Sequence, residues 1–497
     1  MTRDAAAIGA GLAPARSARP IRAGERIHVV GAAGAGASAA ALLALHAGGA
    51  PTGCDKGGSS PYTPALESAG IALAWKHDPA HVTRDPAPDR LAVTKALTAV
   101  QPDHPELMAA VERGIPVEPW QQVVADAAVG RRLVAVTGTH GKSTTAGWLV
   151  HLLVAAGRDP SAFVGALLPE SITGGPAATA RWGGGAEFVV EADEYAGNFD
   201  PFQPSVAVVT SVEWDHPDVF ANQDAVVDAF EAWLRRAAGS TIIVNVAEAG
   251  GEELAGRLAD LGERLVSVSV GASPDAADVS YRADVLASEP AGTRIRVSGP
   301  GLDAAEVDLP TAGAHNVANA LVVAAAAVVL GVPPVGIAAG LTTFPGIGRR
   351  LERIGQAGGV AVYDDYGHHP TAIRATIAAL RQREPGRRVW AVYEPLTFHR
   401  TAAMLGAFAD ALAEADGVVI AKIWAGRDRD TRVTSAERLA NAVAKRRPSI
   451  PIAAPGSVEA TASWLAGEVQ PGDAVLVMGG GHSYRIPHLL VEAIERR

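Results

Sequence analysis

The 497-residue chain has a single cysteine, Cys54, which excludes an intrachain disulfide framework. It has no surplus of positive charge. The formal net charge of −10 speaks against nucleic acid or an anionic membrane as the main partner. Long hydrophobic runs are missing as well. The longest, Ala320–Leu330, falls short of the roughly 18–20 residues of a membrane span, and Gly331 and Pro333-Pro334 follow it, so a buried helix is expected. Residues 1–24 carry no apolar core of the about 7–15 residues a secretory leader needs. A disordered tail on a cytoplasmic protein is expected. No repeat of solenoid period is evident. At roughly 150 residues per domain, the length predicts about three domains.

What is present is a recurring strand–turn–helix pattern. Arg26–Val30 runs into Gly31-Ala32-Ala33-Gly34-Ala35-Gly36, Leu133–Val136 into Thr137-Gly138-Thr139-His140-Gly141-Lys142, and Val360–Tyr363 into Asp364-Asp365. Further apolar runs at 188–190, 206–209, 241–244, 389–392, 417–420 and 474–477 alternate with Ala-rich helical stretches. That alternation predicts an α/β chain built on parallel sheets. The interval 265–309 alternates polar and apolar residues and predicts a small antiparallel meander, followed by a helix near 314–331. Boundaries are expected near 125–131 and at the Gly/Pro-rich linker Phe344–Gly348.

The most informative turn is Gly138-Thr139-His140-Gly141-Lys142-Ser143-Thr144-Thr145. Backbone N–H groups at such a turn can cradle phosphates, Lys142 adds charge, and the Ser143 hydroxyl can ligate Mg²⁺. It is not the usual Walker loop, which would need a glycine where Val136 stands. Glu191, Asp193 and Glu194 follow a buried strand, at the sheet end where ligands bind, and a carboxylate there is a natural Mg²⁺ ligand. Asp215-His216 repeats that placement one strand on. His216 is either a second metal ligand or a surface histidine.

These motifs, with Gly313-Ala314-His315-Asn316, Asn319, Arg349-Arg350-Leu351-Glu352 and Asp364-Asp365-Tyr366-Gly367-His368-His369-Pro370, resemble in order and spacing the Mur ligases of peptidoglycan precursor synthesis. The likeness covers nearly the whole chain from Glu25. It implies a UDP-binding Rossmann-like domain (25–128), a central P-loop ATPase domain (129–345) and a C-terminal Rossmann-like domain (346–497) for the amino acid. It implies ATP-dependent amide synthesis through an acyl phosphate, with UDP-N-acetylmuramate and L-alanine as substrates and ATP and Mg²⁺ as cofactors. Carried over by position, Lys142, Glu191 and His216 would be catalytic, with Ser143 and Glu191 on one Mg²⁺ and His216 at a second metal. Gly138 to Thr144 would hold phosphate, Asn316 and Asn319 would face adenine, Arg350 the ATP phosphates and Asp365 the ribose. Gly31, Gly34, Gly36 and Ser38 would lie at the UDP pyrophosphate, Asp55 at a ribose and His77 near uridine. Tyr366, His368 and Arg400 would lie near the incoming amino acid.

The sequence departs from the family pattern at Ala33 and Ala39, where glycine is usual, and at Thr94-Lys95-Ala96-Leu97, where Ser-Ser-Ala-Ile is usual. In Glu394-Pro395-Leu396-Thr397-Phe398-His399-Arg400-Thr401, Leu396 replaces a histidine and His399 a Ser or Thr. That segment approaches the acceptor, so L-alanine, Gly, Ser and a recycled tripeptide all stay open as acceptors. The Thr52-Gly53-Cys54-Asp55 wording favours the tripeptide, and the Arg400-Thr401 pair favours L-alanine. A nucleotide-binding regulatory module without ligase chemistry is the reading of another class. The oligomeric state is open.

Overall fold

The computed structural model describes residues 8–271, 279–426, 428 and 430–496. Its strands form three sheets in chain order. The first contains β1 (Arg26–Val30), β2 (Ala50–Cys54), β3 (Ala72–Ala74), β4 (Arg90–Val93) and β5 (Val117–Pro119), all parallel, in the order 3-2-1-4-5. The order reverses between β1 and β4, and a crevice at the carboxyl ends of the strands opens at such a reversal.

The second sheet contains β6 (Arg132–Thr137), β7 (Ser161–Leu168), β8 (Ala178–Arg181), β9 (Glu187–Glu191), β10 (Val206–Val209), β11 (Thr241–Asn245), β12 (Leu265–Val270), β13 (Tyr281–Glu289), β14 (Gly292–Gly299) and β15 (Leu302–Leu309). β6 lies between β10 and β9, parallel to both, so the tips of all three strands point at one place. The expected antiparallel meander begins later than its sequence pattern. β12 pairs parallel with β11 and with β13, and within 265–309 only the pairs β13–β14 and β14–β15 are antiparallel; at the other edge of the sheet β8 runs antiparallel to β7. Leu265–Val270 is half-polar because it lies at the margin of the parallel part, not because it turns back. Helix Ala314–Val329 crosses this sheet, and its stretch Ala320–Ala327 is buried on every side. That accounts for the unbroken apolar run. No helix among the described residues is long and apolar enough to cross a membrane.

The third sheet contains β16 (Glu352–Ala357), β17 (Val360–Asp365), β18 (Arg388–Glu394), β19 (Gly417–Ala421), β20 (Ile452–Gly456) and β21 (Asp473–Gly479), in the order 16-17-21-18-19-20. All pairs are parallel except β16 with β17.

The first two units share one apolar core. Ala37, Leu43 and Val124 from the first unit belong to the same buried cluster as Phe163, Phe188 and Val209 from the second. Trp120 meets Phe163 edge-on at 5.1 Å between ring centroids. Gly36 follows from this packing, because a Cβ there would enter the Trp120 ring.

The segment expected as a disordered tail over residues 1–24 is tied down from Ile8, which is fully buried and whose carbonyl accepts the Thr98 hydroxyl at 2.6 Å; further on, the Ala13 N–H bonds to Val117 O at 2.7 Å. Arg16 then reaches Glu118 and Asp126, each at 2.7 Å, and Arg19 reaches Glu25 at 2.6 Å. The attraction is buried acid. Arg90 (side chain 2% exposed) is the hub, with Glu118 at 2.7 Å, Glu25 at 3.1 Å and Asp126 at 2.5 Å. One guanidinium cannot neutralise three carboxylates, so the arginines upstream are drawn in. Residues 1–7 lie outside the described residues.

Arg90→Ala leaves Glu25, Glu118 and Asp126 without their central counter-charge in a dry place. The expected loss is about 3–5 kcal/mol, because an uncompensated buried charge is costly. It is measured as a fall in the midpoint of thermal or urea unfolding; an unchanged midpoint would show that the three acids reach water.

Candidate active site

The loop after β6 enters helix Lys142–Ala155 through Gly141, which sits at φ +80°. A Cβ there would also run into the Asn319 side-chain amide, so glycine is required twice over. The loop is braced from β10. Thr139 N–H donates to Ser211 O at 3.0 Å, and His140 N–H to Ser211 Oγ at 2.9 Å. Thr139 Oγ1 donates to Glu213 O at 2.9 Å, and His140 Nε2 lies 2.8 Å from Glu213 Oε2. Thr139 and His140, expected among the phosphate donors, thus spend their amides on the neighbouring strand. The orphan donors of the helix start, at Lys142, Ser143 and Thr144, remain for an anion.

Lys142 Nζ donates to Gly138 O at 2.5 Å and to Glu194 Oε2 at 3.1 Å, with Asp193 Oδ1 at 3.7 Å. Burial opposes its charge, but Glu194, Asp193 and Glu191 outweigh burial and push its pKa above the ordinary lysine value. Burial pushes the Glu194 carboxyl up to about 7, against the pull of Lys142. Glu194 Oε1 lies 3.7 Å from His216 Nε2, and Asp193, Glu194 and His216 bring one ligand atom each within 4.8 Å of one another. His216 is therefore in carboxylate company rather than on open surface. Glu191 lies among the acids whose charge acts on Lys142. Its carboxylate accepts the Gly165 N–H at 2.6 Å, and among the described residues no hydrogen bond joins it to Ser143. The residues gathered around His216 are Asp193 and Glu194. The signal for them was the run of acids after β9, within which the sequence alone did not single them out.

Across a cleft of about 970 Å³ stand the tips of the third sheet. The cleft is lined by Gly141, Thr144, Asn316, Asn319, Arg350 and Asp365 among others, so these expected nucleotide residues are brought together. Arg350 Nη2 donates to Ser143 Oγ at 2.8 Å, and its Nε is buried without a partner. Asp365 accepts the Leu351 N–H at 2.8 Å and the Gly367 N–H at 2.6 Å, which fixes the linker to β17. Asn319 Nδ2 donates to Asn316 Oδ1 at 3.2 Å.

The far end of the site is built around Asp215 and Arg400, which are hydrogen-bonded and both buried. Burial resists ionisation of Asp215, yet Arg400, His216 and His369 hold its carboxyl well below the usual range. Arg400 keeps Nε and Nη1 buried and unmatched. His368 Nδ1 lies 2.8 Å from Tyr366 O, and burial with the Arg400 charge keeps its pKa well below the ordinary value. Its neighbour His369, at about 4, faces His140 and Trp214 O. Leu396 shares a space with Tyr366: a Cβ on Gly480 would lie 3.3 Å from both. His399 turns away to Asp428, with Nδ1 3.3 Å from Oδ1.

At the first sheet, Gly31 (φ +84°) and Gly34 bracket the turn into helix Ala35–His46. Ser38 Oγ donates to Ala35 O at 2.9 Å, where the turn enters the helix. The residue is fully buried, and its Oγ meets Thr179 Oγ1 of the second unit at 3.0 Å. Asp55 accepts the Gly57 N–H at 2.7 Å and the Ala33 N–H at 3.2 Å, so it braces the glycine turn. His77 points its Nδ1 at Cys54 Sγ, 3.3 Å away. Lys95 donates to Ala196 O at 2.6 Å and so bridges the first two units.

Three family models match the chain in succession: Mur ligase family, catalytic domain, over 26–132; Mur ligase middle domain over 136–327; and Mur ligase, glutamate ligase domain, over 349–481. A UDP-N-acetylmuramate–L-alanine ligase of Gloeobacter violaceus is 36% identical over 477 residues, covering 95% of this chain and 97% of that one. The ligase of the same name from Acidothermus cellulolyticus is 37% identical over 478 residues, 95% of each chain. Among solved structures, UDP-N-acetylmuramate–alanine ligase of Thermotoga maritima aligns with a TM-score of 0.76 at 24% identity, over 94% of this chain and 98% of that one. A murein peptide ligase of Psychrobacter arcticus aligns with a TM-score of 0.72 at 26% identity, over 95% and 99%.

Glu394 generates a pH dependence. Burial pushes its carboxyl up to about 7 from 4.5, although it accepts the Ser483 N–H at 2.6 Å. Between about pH 4.5 and 7 the unfolded chain ionises this group while the folded chain keeps its proton, so stability falls as pH rises through that window. Glu394→Gln removes the loss. Its unfolding midpoint should exceed that of the parent more at pH 8 than at pH 5, and parallel pH curves would sink the assignment.

Proposed function

The chain belongs to the Mur ligase family, and from that premise we propose that it joins L-alanine to the muramoyl carboxylate of UDP-N-acetylmuramate, consuming ATP. The observation that carries the reading is end-to-end likeness, at 36–37% identity over 95% of the chain, to ligases of that name. The geometry supports it. A nucleotide cleft and a buried arginine with two unmatched donors lie on either side of Lys142, Glu194 and His216.

A carboxylate is a poor electrophile, so the γ-phosphoryl group of ATP first passes to it, ADP leaves, and an acyl phosphate forms. Lys142 and the helix-start amides stabilise charge on the transferring group. Arg350, reaching Ser143 from the third unit, closes the cleft over the phosphates and keeps water from the acyl phosphate. Arg400, held by Asp215 through Nη2, brings a buried positive charge and two unmatched donors, Nε and Nη1, to meet the carboxylate of the amino acid. His368 is neutral. With Nδ1–H donated to Tyr366 O, its Nε2 is free to take a proton from the amine as the C–N bond forms and phosphate departs.

The donor set Asp193, Glu194 and His216 fits a hard divalent cation with a borderline nitrogen ligand. Bound there, Mg²⁺ would supply charge neutralisation for the phosphoryl group. A tripeptide acceptor is the second reading, supported by the likeness to the murein peptide ligase.

Phosphate release should require ATP, UDP-N-acetylmuramate and an amino acid together, L-alanine best. Failure with L-Ala, Ser and Gly but turnover with tripeptide would move the assignment to the second reading. Lys142→Ala should lower kcat by about 10²-fold or more; a fall below tenfold would remove Lys142 from the phosphoryl site. Leu396→His should shift the KM of the acceptor more than that of ATP.

A further inference from the structure

The first unit holds a second cluster of ligating side chains, outside the nucleotide cleft. His28 lies on β1, Cys54 ends β2, His81 lies in the short helix Ala80–Thr83, and Glu106 in helix Pro105–Glu112. One ligand atom from each falls within 4.8 Å of all the others. Glu106 is the centre: Cys54 Sγ is 3.3 Å from each of its oxygens, His28 Nε2 is 3.3 Å from Oε2, and His81 Nδ1 is 3.1 Å from Oε1.

We propose that His28, Cys54, His81 and Glu106 form a structural zinc site. Four observations carry it. The ligand types, two imidazoles, one thiol and one carboxylate, are those of four-coordinate Zn²⁺. The spacings suit it, because a tetrahedron with metal–ligand bonds of about 2.0–2.3 Å has edges of about 3.3–3.6 Å. The charges suit it, because a thiolate and a carboxylate together neutralise a dication. His28 Nε2 is buried and has no hydrogen-bond partner, although it faces Glu106. Such an orphaned nitrogen aimed at a carboxylate and a thiol is what a missing cation would leave.

An outer layer orients the ligands. His28 Nδ1 is tied to Thr52 Oγ1 at 2.8 Å, which leaves Nε2 the lone pair when Nδ1 carries the proton. Glu106 Oε1 accepts the Asp78 N–H at 2.8 Å. His81 and His77, with side chains 14% and 11% exposed, mark the way in. The site also bears on the glycine turn, since Cys54 O accepts the N–H groups of Gly31 at 2.8 Å and Ala32 at 3.0 Å. A metal on Cys54 would fix that turn along with β1, β2 and helix Pro105–Glu112.

Cys54 is the chain's only cysteine, so sulfur ligation identifies this site against the cleft, whose clusters contain only histidine and carboxylate. The purified full chain is stripped with chelator and titrated with Co²⁺, then with Zn²⁺. The expected result is a sulfur-to-cobalt charge-transfer band that saturates at one equivalent and is erased by Zn²⁺, with a higher unfolding midpoint in Zn²⁺. Cys54→Ser should lose the band, and His81→Ala should weaken Co²⁺ binding by more than about tenfold, a loss that even an outer partner can cause. A folded parent chain with no such band overturns the proposal without recourse to any variant. So does a band that His81→Ala and Glu106→Gln leave unchanged, which would mean that the thiol binds cobalt alone.

Discussion

A buried ammonium must be met by negative charge close at hand, and Lys142 is met by three carboxylates, Glu191, Asp193 and Glu194, brought by the end of β9 and the residues just after it. The tips of β6, β9 and β10 are adjacent because β6 lies between the other two. That one placement puts Lys142 against Glu194, Glu194 against His216, and Asp215 beside His216. The cluster is over-supplied with negative charge. Glu194 is pushed up to about 7, while Asp193 and Asp215 are held low by the cations near them. A site in that condition favours an added cation and tolerates an added phosphate only where Lys142 and the helix start face it.

The third unit answers with arginines. Arg349 is anchored within its own unit, on Asp364 at 2.9 Å, and stacks near Tyr366. Its neighbour Arg350 is free to cross to Ser143. Both guanidinium groups lie against the Tyr366 ring, at 5.1 and 5.2 Å from its centroid, and the Asp365 carboxylate pins the turn, strained by the positive φ of Arg349 (+59°) and Leu351 (+47°), through the Leu351 N–H. Arg400 crosses at the other end, to Asp215. Two charge-assisted bonds from one unit to another thus bracket the place where the acyl phosphate would form.

Most of the sheet strands were legible, because buried parallel strands read as short apolar runs whatever their neighbours. The edge strands β3, β5, β8 and β20 were not: they are only three to five residues long, and their sequences carry no period. Lys142, Ser143, Asn316, Asn319, Arg350 and Asp365 stand out in the sequence because their order and spacing match a family; of them Asn316, Asn319, Arg350 and Asp365 line one cleft, and Arg350 reaches Ser143. What sequence could not give was which polar atoms are already used. Thr139 and His140 have their amides taken by Ser211, and Ser38 is buried against Thr179, so motif membership and ligand contact part company there. The cluster around Glu106 was invisible for another reason. Its members come from two strands and two helices far apart in the chain, and only the fold makes them neighbours.

The two seams of the molecule differ in kind. Between the first and second units lies continuous apolar core, with Trp120 seated on Gly36. Between the second and third, the contacts at the cleft are mostly polar: Arg350 on Ser143, Arg400 on Asp215, and Thr371 on Glu213. Apolar surface separated in water loses its burial, whereas polar pairs can exchange each other for solvent at small net cost. Parting the first unit from the second would open apolar core, whereas parting the third from the second at the cleft would break mainly polar pairs, so the segment 344–348 lies beside the weaker of the two seams.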